Sequence, residues 1–365
     1  MPLVTVIGGS GIFGGRVAAA LATDGNCEVR IVGRSKHRGE PAARAMGADF
    51  RVADLHDAAA LRDALEGSAV AIHAAGPFQA QDYSVARACI DVGAHYLDLA
   101  DGREFVAGIA VLDESAKARG LLVASGASSA PAITSAMAAA ISGDFAEVDE
   151  ILIALSPGNQ NPRGESTIAA VLSYVGRPIR VWQNREWNDR PGWGDAQLLT
   201  FPPKVGRRRV YNCDVPDLDL FPAKYAVRTV RFQAGLELTV LNNLVSLAGW
   251  IGRRFEVNLM KHSALFRRIS LLFFPLGSKN GSLALWMRGR NGSGNSIERS
   301  IAIVTDNDGP ATPSSAAIVL ARRILASGAP VTGALPCFGL IELDDIMAHL
   351  EPLGIWCARG DERGW

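Results

Sequence analysis

Leu3-Val4-Thr5-Val6-Ile7-Gly8-Gly9-Ser10-Gly11-Ile12-Phe13-Gly14 is an apolar, β-branched run that breaks into glycines, and Arg16 to Ala22 then continue as a helix. A lone G-x-G-x-x-G is a weak signal, but strand, glycine turn and helix in that order form the context a dinucleotide-binding fingerprint requires. Gly9 is expected to allow the tight turn, Gly11 to let the backbone approach a pyrophosphate, and Gly14 to let the helix lie close on the strand. The helix N-terminus then offers unpaired N–H groups and a partial positive charge to the phosphates. Gly8, Gly9, Ser10, Gly11, Ile12, Phe13 and Gly14 are the expected phosphate cradle.

A second strand, Glu28-Val29-Arg30-Ile31-Val32-Gly33, ends where the adenosine ribose is read, roughly 20 residues past the last glycine. No carboxylate stands there. The chain has Arg34-Ser35-Lys36, with Arg38 just beyond. A guanidinium and a hydroxyl suit a 2′-phosphate that an aspartate would repel, so NADP is expected in preference to NAD. A solvated basic loop is the competing reading.

Length and composition set the frame. At 365 residues the chain exceeds a usual single domain, so two domains with a sizeable core are expected. No charged stretch and apolar core precede the first strand, and no apolar run is long enough to span a bilayer, which gives a cytoplasmic expectation. The five cysteines, Cys27, Cys89, Cys213, Cys337 and Cys357, form no Cys-x-x-Cys pair, and the six histidines show no ligand spacing. Neither a disulfide framework nor a metal site is expected. The zero net charge hides an asymmetry: residues 1–130 carry 12 basic against 15 acidic side chains, 131–329 carry 23 against 16, and 330–365 carry 2 against 6. The basic middle segment fits a solvated surface or a self-association face, an anionic substrate, or a membrane surface.

Along residues 1–126, short apolar strands alternate with helices, the pattern of a parallel sheet covered on both faces. Strands are expected at 3–7, 28–33, 49–52, 69–74, 95–99 and 121–125, with helices at 12–23, 40–46, 57–66, 80–93 and 103–119. Six strands in this order make a complete doubly wound domain. After a helix from Ala130 to Ile141 the pattern changes: a strand at 148–156, a helix at 165–175, several short strands within 178–232, helices near 238–250 and 261–271, and a hairpin of 282–290 with 296–305. Helices from Pro313 to Ala326 and near Leu343 to Leu350 close the chain. The fold class is therefore α/β: a Rossmann domain over 1–130, an α+β mixed-sheet substrate and dimerisation domain over 131–310, and a segment 311–365 packing back on the first. Leu265 to Leu276, with Arg267 and Arg268 among Phe and Leu, reads as core or dimer interface in preference to a membrane-surface segment.

In doubly wound sheets, ligands collect at the carboxyl ends of the strands. The turn after the fourth strand, His73-Ala74-Ala75-Gly76-Pro77-Phe78-Gln79, has small residues for backbone approach and an aromatic ring to flank a nicotinamide. Ala75, Gly76, Pro77 and Phe78 are thus expected cofactor contacts. The turns after Ala94-His95-Tyr96-Leu97-Asp98-Leu99-Ala100-Asp101-Gly102 and at Ser125-Gly126-Ala127-Ser128-Ser129-Ala130-Pro131 are expected to face the same cleft.

Taken together, Gly8 to Gly14, Ala75-Gly76-Pro77-Phe78, Ala88-Cys89 with Gly93-Ala94-His95-Tyr96-Leu97-Asp98-Leu99, and Gly126 to Pro131 resemble the saccharopine dehydrogenase-like NAD(P)-dependent oxidoreductases. The resemblance covers the first domain well and the rest in outline. It implies an N-terminal Rossmann domain, an inserted mixed-sheet domain, a C-terminal segment returning to the first domain, and oxidation or reduction of a carbon–nitrogen linkage. Where that family commonly follows Tyr-x-Asp-Leu with Gly-Glu, this chain has Asp101-Gly102, so the role of that glutamate is not carried over, nor is it given to Glu104.

A carboxylate at a strand end in a closed cleft acquires a raised pKa, so Asp98 and Asp101 both invite an acid/base reading; Asp98 is the expected catalytic residue, with capping of the adjacent turn as its structural alternative, and for Asp101 a turn residue is the preferred reading. A Tyr-x-x-x-Lys pair is absent: Tyr83 is followed by Arg87 and Tyr96 by Ala100. The expected function is NADP-dependent hydride transfer to or from a small substrate in the interdomain cleft of a homodimer. A non-catalytic NADP-binding redox sensor and a membrane-associated reductase of a lipid-like substrate are the alternatives.

Overall fold

The computed structural model describes residues 1–361 and 365, and they divide into two compact units, Met1–Ile133 with Pro313–Ile341 and Thr134–Thr312 with Glu342–Trp365. In the first unit, β1 (Leu3–Ile7), β2 (Glu28–Gly33), β3 (Asp49–Val52), β4 (Ser68–His73), β5 (His95–Asp98) and β6 (Leu122–Ser125) are joined by helices. All pairings are parallel, in the order β6-β5-β4-β1-β2-β3, and Gly333–Pro336 adds a seventh strand beside β6. The inner strands β1, β4 and β6 are nearly continuous apolar runs because both faces are covered. Val4, Thr5, Val6 and Ile7 are all buried, and the one hydroxyl among them meets Ser68 Oγ at 2.6 Å. Strand order reverses between β1 and β4, the crevice where ligands of such sheets bind.

The second unit is built on β7 (Glu147–Ser156), β8 (Pro178–Gln183), β9 (Glu186–Pro191), β10 (Gln197–Thr200), β11 (Arg207–Asn212), β12 (Thr229–Ala234), β13 (Gly281–Arg290) and β14 (Ser296–Thr305); Gly333–Pro336 is β15, and Trp356–Gly360 is β16. Its mixed sheet runs β10-β11-β12-β7-β13-β14-β16, with β8 branching from β12 and β9 pairing with β8. The β13–β14 hairpin closes through Asn291, whose side-chain oxygen accepts the N–H groups of Ser293 and Asn295.

The expected single C-terminal segment 311–365 divides. Residues 313–341 complete the first unit through β15, while β16 pairs with β14 and so places the last residues in the second. The six-strand sheet is thus a seven-strand sheet, whose last strand is too short and too rich in Gly and Pro to read as one. The helix expected from Ala130 starts at Thr134, because Ala130 precedes a proline and takes an extended conformation. The helix expected at 103–119 is two helices, Arg103–Gly108 and Asp113–Ala118, joined by a tighter turn. Asp217-Leu218-Asp219-Leu220 alternates like a strand yet lies in a helix, Asp217–Tyr225, which buries Leu218 and Phe221 three residues apart. Finally, 265–276 is not core: within the helix Ser263–Leu272 only Ser263 is buried.

Candidate nucleotide and hydride-transfer site

The glycine turn after β1 is held from three sides. Gly8 donates its N–H to Val32 O at 2.8 Å, Gly11 donates to Gly8 O at 2.9 Å, and Ala74 donates to Ile7 O at 2.8 Å. The left-handed residue of the turn is Gly8, with φ of +79°, rather than Gly9. Gly9 is instead buried against β2, where a Cβ would lie 3.0 Å from the Ile31 side chain. A Cβ on Gly14 would stand 2.5 Å from Gly8 O and 3.0 Å from Ala74 Cβ, so the first helix, α1 (Ile12–Asp24), presses on the turns after both β1 and β4.

At the N-terminus of α1, Gly11 is exposed, no side chain caps the helix and no carboxylate lies in its first turn. The helix dipole and the terminal amides therefore face outward without a protein anion to satisfy them, which suits a phosphate. Ser10 is exposed and Ile12 and Phe13 are half-buried in the same turn. At the end of β2, Arg34 is exposed and forms no ion pair among the described residues, while Ser35 begins the next helix without using its hydroxyl as a cap. Lys36 reaches Glu40 at 3.5 Å, an exposed pair one helical turn apart. The β2 end adjoins the β1 turn: a Cβ on Gly33 would lie 4.0 Å from Ser10 Oγ. The glycine cradle and the guanidinium thus fit a phosphorylated dinucleotide.

The turn after β4 is braced by side chains that the sequence did not single out. Gln81 Nε2 donates to Ala75 O at 2.7 Å and Pro77 O at 3.0 Å, and its Oε1 lies 2.8 Å from His73 Nε2. Because that oxygen only accepts, His73 carries its proton on Nε2. Burial pushes the His73 pKa down to about 4, against the Gln81 bond, so the ring is neutral near pH 7. Phe78 does not stand open to a cofactor ring as expected. It is buried edge-on to His73 at 5.0 Å and against Phe105 at 5.3 Å, in a cluster with Ala100 and Val106. Ala75, Gly76 and Pro77 stay half-buried at the surface of the turn.

Asp98 ends β5 with no exposed surface. Its Oδ1 accepts the N–H of Ala100 at 3.0 Å and of Gly126 at 2.7 Å, and its carbonyl accepts the N–H of Ala127 at 2.7 Å. The residue therefore ties the turn after β5 to the turn after β6. Burial pushes its carboxyl up to about 6, opposed by the two backbone bonds and by the Ser125 and Tyr96 hydroxyls. Asp101, three residues on, retains some exposure and accepts Gln79 Nε2 at 3.0 Å, joining the turns after β4 and β5. Burial raises its pKa as well, the Gln79 bond opposing. Gln79 Oε1 is buried without a hydrogen-bond partner among the described residues, an acceptor a bound molecule can satisfy. The expected acid/base residue is thus sealed behind backbone, while Asp101 is the carboxyl that reaches the surface of these turns. Gln79 and Gln81 were legible only as polar residues after a Gly-Pro turn.

Residues 4–140 match the family described as the saccharopine dehydrogenase NADP binding domain. A search of curated proteins gave no match. Among solved structures, apo saccharopine dehydrogenase (L-Glu forming) from Saccharomyces cerevisiae is similar over 99% of this chain and 100% of its own, at 14% identity and a TM-score of 0.73. Homospermidine synthase from Legionella pneumophila, in complex with NAD, is similar over 98% of this chain and 91% of its own, at 10% identity and a TM-score of 0.64. At these identities the structural likeness establishes fold, and the family match establishes the nucleotide-binding domain. Residues 4–140 thus match the saccharopine dehydrogenase NADP binding domain, and the whole chain has a two-sheet fold similar to that of saccharopine dehydrogenase.

Proposed function

We propose that the protein is an NADP-dependent oxidoreductase that moves a hydride to or from the carbon of a small carbon–nitrogen substrate. The observation that carries the reading is the glycine turn at the switch point of the first sheet, with Arg34 exposed at the end of the neighbouring strand and in no ion pair among the described residues. The guanidinium and the Ser35 hydroxyl bind the 2′-phosphate, and the amides at the start of α1 bind the pyrophosphate. Ala75, Gly76 and Pro77 give the nicotinamide end a small, side-chain-poor floor, braced by Gln81 and neutral His73. When bound, the nicotinamide supplies or accepts the hydride.

The chain's own residues manage the proton. Asp101, held by Gln79 and with its pKa raised by burial, is placed to deliver a proton to, or take one from, the substrate nitrogen as the carbon gains or loses the hydride. Asp98 is a positioning residue that fixes the loops on which Asp101 and Ser128 stand. Support for C–N chemistry comes from the family match and from the names of the two neighbours, a saccharopine dehydrogenase and a homospermidine synthase.

Calorimetric titration tests the cofactor first: NADPH binds and NADH binds more weakly. Arg34→Asp lowers NADPH affinity about a hundredfold, the equivalent of a lost charge-assisted contact, and leaves NADH within a few-fold. Equal losses for both nucleotides sink the 2′-phosphate assignment, and no binding of either sinks the function. With amino acids and oxo acids screened by loss of nicotinamide absorbance, Asp101→Asn lowers kcat by about a hundredfold or more with NADPH affinity unchanged. An unaltered kcat removes Asp101 from the chemistry.

A further inference from the structure

The second unit displays apolar side chains where a globular surface normally hides them. In the helix Thr239–Phe255, Val240, Leu244, Leu247 and Ile251 recur at i, i+4, i+7 and i+11, one side of a helix, and all four are exposed. The opposite side is already used: Gly249 lies against Val175 and Gly176, and Gly252 against Leu259. Trp250 is 54% exposed, Phe255 63% and, in the helix that follows, Leu272 78%. The backbone beneath the last of these is firmly held. Asn159 donates its side-chain amide to Phe273 O at 2.6 Å and Leu276 O at 2.8 Å, and Glu237 accepts the N–H of Ser278 at 2.9 Å. Polar bonds anchor the loop while Phe274 and Leu276 stay outside. Such a concentration of exposed apolar side chains between Val240 and Leu276 marks an interaction surface.

Charge selects its partner. Between residues 239 and 276 stand Arg253, Arg254, Lys261, Arg267 and Arg268 against one carboxylate, Glu256. None of the five cations forms an ion pair among the described residues, although the sheet arginines of the same unit commonly do. A second copy meeting this face by two-fold symmetry brings the same basic set to both sides of the contact, with only Glu256 on each side to answer it. We propose that helices Thr239–Phe255 and Ser263–Leu272 dock the protein on an anionic lipid surface, lying in the interface with leucines and aromatics in the acyl boundary and arginines at the headgroups. No helix of the described residues is long and apolar enough to cross a membrane, so the contact is peripheral. The inference does not rest on the nucleotide reading.

Co-sedimentation of the full chain with phosphatidylcholine vesicles, with and without phosphatidylglycerol, is the test. Partitioning is expected to be about a hundredfold stronger on the anionic vesicles, and to weaken with added salt. The double variant Leu247→Glu, Leu272→Glu is expected to lose vesicle binding at least tenfold while its melting curve stays that of the parent, since both side chains are exposed. Charge reversal at Arg253, Arg254 and Arg267 is expected to abolish the preference for anionic lipid. The proposal is overturned if the parent ignores both vesicle types, or if the leucine variant sediments as the parent does. It is also overturned if sedimentation equilibrium shows a dimer that Leu247→Glu dissociates while vesicles remain unbound, which assigns the face to self-association.

Discussion

Gly14→Ala is expected to unsettle the first unit and to cut NADPH affinity at least tenfold. Alanine is the better helix former by about 1 kcal/mol, so propensity alone predicts a gain at a position inside α1. The new methyl, however, is aimed at backbone: 2.5 Å from Gly8 O, 2.9 Å from Gly8 C and 3.0 Å from Ala74 Cβ. A backbone oxygen in a turn pinned by Val32, Gly11 and the β4 strand end cannot rotate away as a side chain does. Relief comes from moving the helix off the sheet, an overpacking cost of about 2 kcal/mol or more after the propensity gain. The same movement withdraws the helix N-terminus from the phosphates. Gly15→Ala is the control, because its methyl lies 3.4 Å from Gly9 O, an ordinary contact, and the propensity term survives. Thermal melting and NADPH titration of the pair check the idea. Should both variants behave as the parent, the close seating of α1 does not set the cradle.

The two units differ in how much of them was legible, and the reason is periodicity. Strands buried on both faces read as apolar runs ending at glycines, which is why β1 and β2 are found at their expected residues. Elements that depend on distant partners did not announce themselves. β15 exists because four residues containing Gly333 and Pro336 find β6 already in place, and β16 because β14 offers an edge. Asp217 carries a strand-like alternation into a helix because Leu218 and Phe221 bury together there. The site shows the same division. Gly8 to Gly14 and Arg34-Ser35 follow their strands so closely that local spacing locates them, whereas which glycine turns left-handed depends on the Ala75 backbone packed over Gly8. Phe78 reads as a cofactor contact because aromatic residues serve that purpose, and His73 together with Phe105, from the helix Arg103–Gly108, reveals that its ring is occupied. Gln79 and Asp101 are 22 residues apart, and no local pattern joins them.

Asp98 separates a structural carboxyl from a chemical one, and two substitutions distinguish the readings. Asp98→Ala removes the acceptor of two buried N–H groups, those of Ala100 and Gly126, and is expected to destabilise the first unit by about 3 kcal/mol. Asp98→Asn keeps an acceptor oxygen and mimics the protonated acid. The sign of its pH dependence follows from the raised pKa. With a folded value of about 6 above the ordinary 3.8, the native state holds the proton more tightly than the unfolded chain. The favourable contribution is complete below about pH 4 and is lost as pH rises through 6. Ionised Asp98 therefore costs the parent up to about 3 kcal/mol at pH 7, a cost the asparagine lacks. Of the groups coupled to it, Tyr83, Tyr96 and Cys337 are all pushed above their usual range, so none titrates in this window. His73, driven down to about 4, does titrate between pH 4 and 6.5, with the opposite sign, but it does so in parent and variant alike and cancels in their difference. Denaturant unfolding across pH 4 to 7 is expected to show Asp98→Asn gaining on the parent as pH rises, levelling above pH 6. A constant difference overturns the raised pKa. If asparagine also leaves kcat within a few-fold while Asp101→Asn abolishes it, Asp98 serves by holding the loops that Asp101 works from.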